Sequence, residues 1–508
     1  MKFSRVSACL TKSGNLQRWP AFWSFSLCSV TMLSLILLVG ATSQLVAQSV
    51  TSGDIVGLVT DPSGAVLANA SVTLKSQENG SMQAQSTNSR GAYRFSLLPP
   101  GRYTVSVTVA GFHKADATAV VTIGQAATVN IALALGEATS TVEVTSDAPL
   151  LQTDNADIST SFSEIQISQT PNPGNDLSYI AQTAPGVVQN TQGGNGNFSA
   201  YGLPATSNLF TLNGQNENDP FLNLNNSGAT NLLLGNNDVR EATVVTNGYS
   251  GQYGTLAGAN VNYVTKSGSN NFHGNALYWW NGRALNANSF FNNQNGAPRP
   301  FDNANQWAAS FGGPIKKDKT FFFVDTEGLR FVLPTSTNVR IPSPQFQAAT
   351  VANLANASPG SVPFYNSLFS LYNNAPGGGR ATPLANNLGC NGFTDANSGL
   401  GITQPCALAF TSTVGQLSTE YLITARIDQN IGNNDRMFGH FRTDHGSQAT
   451  LTDAISPLFN LGSTQPQYEG QLEETHTLGA NAVNQFIASG QWYSCHFQCA
   501  QSPGGVAG

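Results

Sequence analysis

Between positions 55 and 135 apolar residues recur at every second position in short runs. Tyr103, Val105, Val107 and Val109 alternate with Thr104, Ser106 and Thr108, the period of a strand with one buried and one wet face. Val129, Ile131, Leu133 and Leu135 repeat it in a run expected to close the unit. Further strands are expected at Ile55 to Val59, Ala70 to Leu74 and Ala92 to Leu97. Between them lie Asp61-Pro62-Ser63-Gly64, whose residue order suits a type I turn, a second turn at Asn88 to Gly91, and a corner at Pro99-Pro100-Gly101. Short strands at this spacing predict a β-sandwich. The period then changes. Leu177, Ile180, Ala181 and Ala184 follow Asp176 at helical spacing, stopped by Pro185-Gly186. Leu209 to Leu212 runs into Asn213-Gly214, a hairpin signal, and Asp238 to Thr246 supplies another strand. In Gly258 to Gly274 (GANVNYVTKSGSNNFHG), Val261 and Tyr263 alternate with Asn260 and Asn262, which reads as a half-buried strand. These pieces predict a small α+β unit.

Beyond this seam the alternation lengthens and becomes two-sided. Trp307, Ala309 and Phe311 alternate with Gln306, Ala308 and Ser310. Tyr421, Ile423, Ala425 and Ile427 alternate with Thr424, Arg426 and Asp428, turn at Gly432-Asn433-Asn434, and return from Met437 to Arg442. Phe486, Ala488, Gly490 and Trp492 form a further run. One row suits lipid and the other a watery lumen, where Arg426, Asp428 and Arg442 belong. Leu277-Tyr278-Trp279-Trp280 has the residues of a strand end at a membrane interface. Phe321-Phe322-Phe323 does not alternate, so its facing is open between the two sides and an aromatic girdle. The stretch from Asn338 to Gln416, rich in Asn, Gly, Pro and Ala, reads as a large surface loop with short helices.

Composition narrows this picture. Only 10% of the 508 residues are charged and 50 are glycine, unlike an ordinary cytosolic domain. A net charge of −6 without a basic patch excludes nucleic acid as an expected partner. Lys2, Arg5, Lys12 and Arg18 precede an apolar run from Met32 to Val39, and no charge follows until Asp54, so residues 1–47 are expected to be a secretory signal. No later run is apolar enough for a spanning helix, and a membrane-integral mature chain would have to be a closed β-barrel. Cys390 and Cys406 bracket a Gly/Asn-rich segment and are expected to form a loop disulfide in an oxidising compartment. Cys495 and Cys499 read as a local disulfide or as two free thiols. No metal site is expected, because no second pair stands at zinc-ligand spacing. The six histidines form no HExxH or HxxE pattern and no Gly-rich phosphate loop follows a strand, so neither catalytic nor cofactor-binding residues are expected.

GANVNYVTKSGSNNFHG and FGGPIKKDKTFFFVDTEG, Phe311 to Gly328, resemble the plug–barrel junction and first barrel hairpin of TonB-dependent outer-membrane receptors of the Oar-like group. GLVTDPSGAVLANASVTL and NSRGAYRFSLLPPGRYTVSVTVAGF resemble the carboxypeptidase regulatory-like fold, a prealbumin-type sandwich without peptidase chemistry. The resemblance covers roughly positions 53 to 500. It implies a mainly β chain: signal at 1–47, prealbumin-like β-sandwich at 48–136, linker at 137–149, α+β plug domain at 150–268, and at 269–508 the first part of an incomplete transmembrane antiparallel β-barrel with the long loop at about 338–416. Within the linker, Thr141, Val142, Glu143, Val144 and Thr145 match the valine-rich TonB box, or else form an ordinary linker strand. Two departures stand out. Asn213 replaces a usual aspartate, and Gly251-Gln252 replace a usual alanine and acid, so contacts made elsewhere by those acids are neutral here or missing.

The expected function follows from the resemblance. It is an outer-membrane receptor that binds an extracellular ligand of unknown identity and moves it in either direction by energy-coupled plug displacement, with a TonB-type inner-membrane complex as partner, outer-membrane lipid around the barrel, and sandwich and plug on the periplasmic and lumen side. No cofactor is implied. Fewer than half of the residues follow Gly268, whereas a plugged transporter barrel uses ~22 strands of about 10 residues, so the chain is expected to be an N-terminal portion. The alternative is a non-transporting cell-surface scaffold or adhesin built from the same β modules.

Overall fold

A computed structural model describes residues 51–136, 141–144, 158–189, 197–247, 256–334, 336–383, 406–479 and 482–498. The expected signal at 1–47, and Thr145, Gly251, Gln252, Cys390 and Cys499, lie outside these residues. No described helix is long and apolar enough to cross a membrane.

The first module is a two-sheet sandwich. Its strands are β1 (Gly53–Thr60), β2 (Ser71–Ser76), β3 (Met82–Ser86), β4 (Ala92–Leu98), β5 (Gly101–Thr108), β6 (Lys114–Val121), β7 (Ala126–Thr128), β8 (Ile131–Ala132) and β9 (Thr141–Val144). One sheet runs β4-β1-β7 with β8 also on β1, and the other β3-β2-β5-β6-β9. The alternating residues meet between the sheets as predicted: Val72, Leu74, Val105, Val107, Ile55, Val59 and Phe95 share one core, each aliphatic or aromatic side chain contributing about 1.5–3 kcal/mol by leaving water. Asp61 accepts from the Ser63 and Ala65 amides at 2.8 and 2.9 Å, closing the expected turn. The closing run differs from expectation. Val129, Ile131 and Leu133 are buried, yet they flank two short pieces parallel to β1, and Leu135 is 70% exposed. Strand β6, whose inward residues are three alanines and Val121, is additional to the sequence reading.

The plug follows as a five-stranded sheet, β10-β15-β16-β13-β14, from Ile158–Ser163 (β10), Leu209–Leu212 (β13), Gln215–Asn216 (β14), Val239–Asn247 (β15) and Asn260–Thr265 (β16), with Val187–Gln189 (β11) and Phe198–Ala200 (β12) as a separate pair. Helix α1 (Glu164–Gln169) and a 3₁₀ segment at Leu177–Thr183 cover it. Asp176 caps that segment by accepting from the Ser178 amide, and Leu177, Ile180, Ala181 and Ala184 are buried as the spacing predicts. Asn213 and Gly214 both take positive φ, 48° and 81°, the mirror-turn geometry that the dipeptide suits. One expectation fails. β16 is not half-buried, since all six residues from Asn260 to Thr265 are buried. It is a central strand between β13 and β15, and Asn262 survives there because Thr211 Oγ1 donates to its side chain at 2.6 Å.

The third module is a nine-stranded antiparallel sheet: β17 (His273–Gly282), β18 (Asn303–Lys316), β19 (Thr320–Pro334), β23 (Gly415–Ile431), β24 (Asp435–Leu451), β25 (Leu461–Thr464), β26 (Gln467–Thr477), β27 (Val483–Tyr493) and β28 (His496–Gln498). Its side chains alternate between an outer apolar face and an inner face against the plug. The triple phenylalanine obeys this rule. Phe321 and Phe323 are 1% exposed on the inner side, while Phe322 joins Phe311 and Phe272 on the outer side, with ring centroids 5.6–5.7 Å apart. A second outer aromatic row, Tyr421, His445, Tyr468 and Trp492, crosses four strands nearer the long-loop end. Trp307 also lies outside, over Gly328, where an added Cβ would meet its ring at 2.1 Å. In its described parts the 338–416 stretch carries helices, as expected, and a small sheet, which was not expected. Strands β20 (Thr337–Pro342), β21 (Thr382–Pro383) and β22 (Ala407–Ser412) form a small sheet, which packs with helices α2 (Pro344–Ala357) and α3 (Val362–Asn373) around Val339, Ile341 and Phe410. These apolar residues are too sparse to show as alternation.

Candidate functional site

The polar seam between plug and inner wall has the most unusual chemistry of the described residues. The pleat sends every second residue of each wall strand inward, and in a chain with few charges the inward rows carry many of them: Asp325 and Glu327 on β19, Glu420 on β23, His440, Arg442 and Asp444 on β24, Glu469 on β26. The plug presents Glu217 and Asp238 to the same zone, both buried.

Wall carboxylates hold the plug largely by its main chain. Glu327 accepts from the amides of Gly235 at 3.1 Å and Asn237 at 2.5 Å, and Glu420 accepts from the Thr230 amide at 2.6 Å. Asn237 also donates to Asp325 at 2.7 Å. Arg442 reaches the other way, to Glu217 at 3.3 Å and to the Leu234 carbonyl at 3.2 Å, with Glu469 at 3.9 Å. Two neutral pairs and one cationic donor complete the seam: Gln471 to the Asn213 carbonyl at 2.7 Å, Asn226 to Gln467 at 2.8 Å, and the Arg426 guanidinium to Thr265 Oγ1 at 2.9 Å. Burial, then the neighbouring Glu469, holds the Glu217 carboxyl well above its usual range. Burial likewise lifts Asp238 to about 6. A small apolar patch, Leu234 against Leu329 and Leu422, lies beside them.

A second joint ties the sandwich to plug and wall. Arg240 on β15 makes a two-pronged ion pair with Glu78 in the β2–β3 turn, 2.5 and 2.6 Å, and the Asn270 amide donates to the Glu78 carbonyl at 2.9 Å. Adjacent Glu241, buried and lifted by burial to about 7, accepts from the Ile123 amide at 2.9 Å. Arg436 on β24 donates to the Leu97 carbonyl. A cavity of about 90 Å³ remains between the three modules, lined by these arginines and Glu78 among others.

The sequence-derived candidates fare unevenly. Thr141 to Val144 form β9, paired in parallel with β6, away from the plug–wall seam. Cys406 is buried and disulfide-bonded, and its expected partner Cys390 lies outside the described residues. Cys495 is a free thiol. Asn213 does make neutral contacts: its side-chain oxygen accepts from the Thr265 amide at 3.0 Å and its amide group donates to Thr265 Oγ1 at 3.1 Å. Asp435, Glu474 and His476 bring three donor-type atoms within 4.8 Å of one another at the short-turn end of the wall, where His476 and Asp435 already bond to each other. Sequence reasoning placed Arg426 and Arg442 on the lumen side but missed the seam carboxylates. Their signal was acids at i and i+2, Asp325 with Glu327, in an otherwise apolar strand.

Residues 264–506 match the family model described as outer membrane beta barrel domain, and residues 54–134 the model described as carboxypeptidase regulatory-like domain. The protein is thus an outer-membrane β-barrel protein with an N-terminal β-sandwich, located in the outer membrane of a Gram-negative bacterium. The TonB-dependent transporter Oar of Myxococcus xanthus is 29% identical over 289 residues, which is 54% of this chain and 26% of the relative. In both matched domains the chain is similar to the Oar-like group of TonB-dependent receptors, and it spans about a quarter of the length of that relative. Among solved structures it is similar to a ferric enterobactin receptor of Pseudomonas aeruginosa, at 12% identity and TM-score 0.34, covering 67% of this chain and 45% of that one. It is also similar to the P. aeruginosa receptor FpvA bound to heterologous pyoverdines, at 10% identity and TM-score 0.36, covering 68% and 43%. Likeness at this level speaks to neither ligand nor mechanism.

Proposed function

We propose that the chain is the N-terminal part of an energy-coupled transporter, in which a ligand bound outside the cell passes once the plug is displaced within the barrel. Further wall strands beyond those described close the barrel, and sandwich and plug face the periplasm and lumen. The observation that carries the reading is the seam itself. The plug is held by many separable hydrogen bonds to wall carboxylates, chiefly through its main chain, so it can leave without a covalent step. Residues Thr141 to Thr145 serve as the coupling strand for a TonB-type inner-membrane complex, and Cys390 pairs with Cys406 in the long loop. No chemical reaction is assigned, in keeping with a transporter relative.

The test is to express the full-length gene in a Gram-negative host and fractionate it. A heat-modifiable barrel in the outer membrane is expected, and a product shed as soluble protein would falsify the transporter reading in favour of a surface scaffold.

A further inference from the structure

β9 lies on the outer edge of β6 as the fifth strand of its sheet, with Lys114, Ala115, Asp116 and Ala117 partnered with Thr141, Val142, Glu143 and Val144. It is an addition to the module, because the domain match ends at residue 134. Two features make its seat exchangeable. Among the described residues the pairing spans 141–144, whereas the neighbouring β5–β6 ladder runs over 101–107. It is parallel, the ladder with less stability per residue.

We propose that β6 is a parking edge for the coupling strand, so that the sandwich and the energy-coupling protein compete for the same main-chain groups. This rests on the reading of Thr141 to Thr145 as the coupling strand. The partner it fits is a protein that presents an unpaired strand edge and takes these residues by backbone pairing. While β9 is seated on β6, that pairing has to exchange rather than simply add. The partner's apparent affinity is then its intrinsic affinity multiplied by the fraction of chains with the strand free.

The experiment locks the strand in its seat. Asp116→Cys with Glu143→Cys puts two thiols at partnered positions of neighbouring strands, a spacing that a disulfide spans, on the sandwich face opposite the core residues Ala115 and Ala117. Binding of the purified periplasmic domain of the host's coupling protein to the full chain is measured for the wild type, the oxidised and reduced double variant, and a deletion of 141–145. Oxidation is expected to weaken binding at least tenfold and reduction to restore it, with the Asp116→Cys single variant unaffected. Binding of the oxidised variant at wild-type strength would mean that the partner adds to the outer edge of a seated β9, which overturns the parking inference. Failure of the disulfide to form overturns it too, by contradicting the register. Unchanged binding after the deletion sinks the coupling-strand reading itself, a result distinct from either.

Discussion

Arg442 shows how much one side chain decides in this seam. It lies between the buried Glu217 and Glu469, its own side chain 11% exposed, and removing one partner of a largely buried ionic group costs far more than the group contributes when intact. Arg442→Met is therefore expected to destabilise the plug–wall contact by roughly 3–5 kcal/mol, and adding Glu217→Gln with Glu469→Gln to recover most of that loss. The temperature at which the plug becomes accessible to trypsin in outer-membrane preparations measures both. The plug carboxylates add a pH dependence. Burial raises Asp176 from 3.8 to about 6, Asp238 from 3.8 to about 6 and Glu241 from 4.5 to about 7. Each holds a proton in the folded state that the unfolded chain has already released. Their contribution to stability is full below about pH 4 and declines as pH rises through about 7. A falling release temperature across that window is expected, with a shallower fall in Glu241→Gln; a flat profile in the wild type would contradict it.

At the scale of the element, the inward and outward rows of β19 have different duties. Phe321 and Phe323 fill the space behind the plug seam, and Phe322 packs outside at a tilt against Phe311. Phe323→Ala leaves a cavity and is expected to cost about 3–5 kcal/mol, lowering the heat-modifiable fraction on a gel, whereas Phe322→Ala is expected to cost clearly less. Equal effects would mean that the facing is wrong. The same strand shows what sequence can and cannot reveal. Its existence was legible, because FFFVDTEG is long and β-prone. Its facing was not, because three identical residues carry no phase. β26 is the converse case. Gln467, Glu469, Gln471, Glu473 and Thr475 point in while Tyr468, Gly470 and Leu472 point out, a polar row whose burial makes sense only with the plug behind it. β16 was misjudged for a related reason, since Asn262, which looks wet in the sequence, is dry where the neighbouring Thr211 hydroxyl satisfies it.

Across the whole molecule, the sandwich is bound to plug and wall through Glu78–Arg240, Ile123–Glu241 and Leu97–Arg436. The Glu78 side chain is 36% exposed, so solvent screens this pair, and a double-mutant cycle with Glu78→Gln and Arg240→Gln is expected to give a coupling on the order of 1 kcal/mol. It would be read from hydrogen-exchange protection at Ile123. No coupling would mean that the main-chain contacts alone hold the joint. If the joint persists under load, a pull on β9 reaches the plug through the sandwich as well as along the chain.

Sequence alone determined the modules, the order in which they occur and most of their strands, because alternation, turn dipeptides and low charge are local properties that each segment carries by itself. It also placed Arg426 and Arg442 on the lumen side and the valine-rich strand at 141–144. Which carboxylate meets which plug amide, and which sheet edge receives that strand, are pairings across dozens to hundreds of residues. Periodicity has no phase information over such distances, so only the packed tertiary structure decided them.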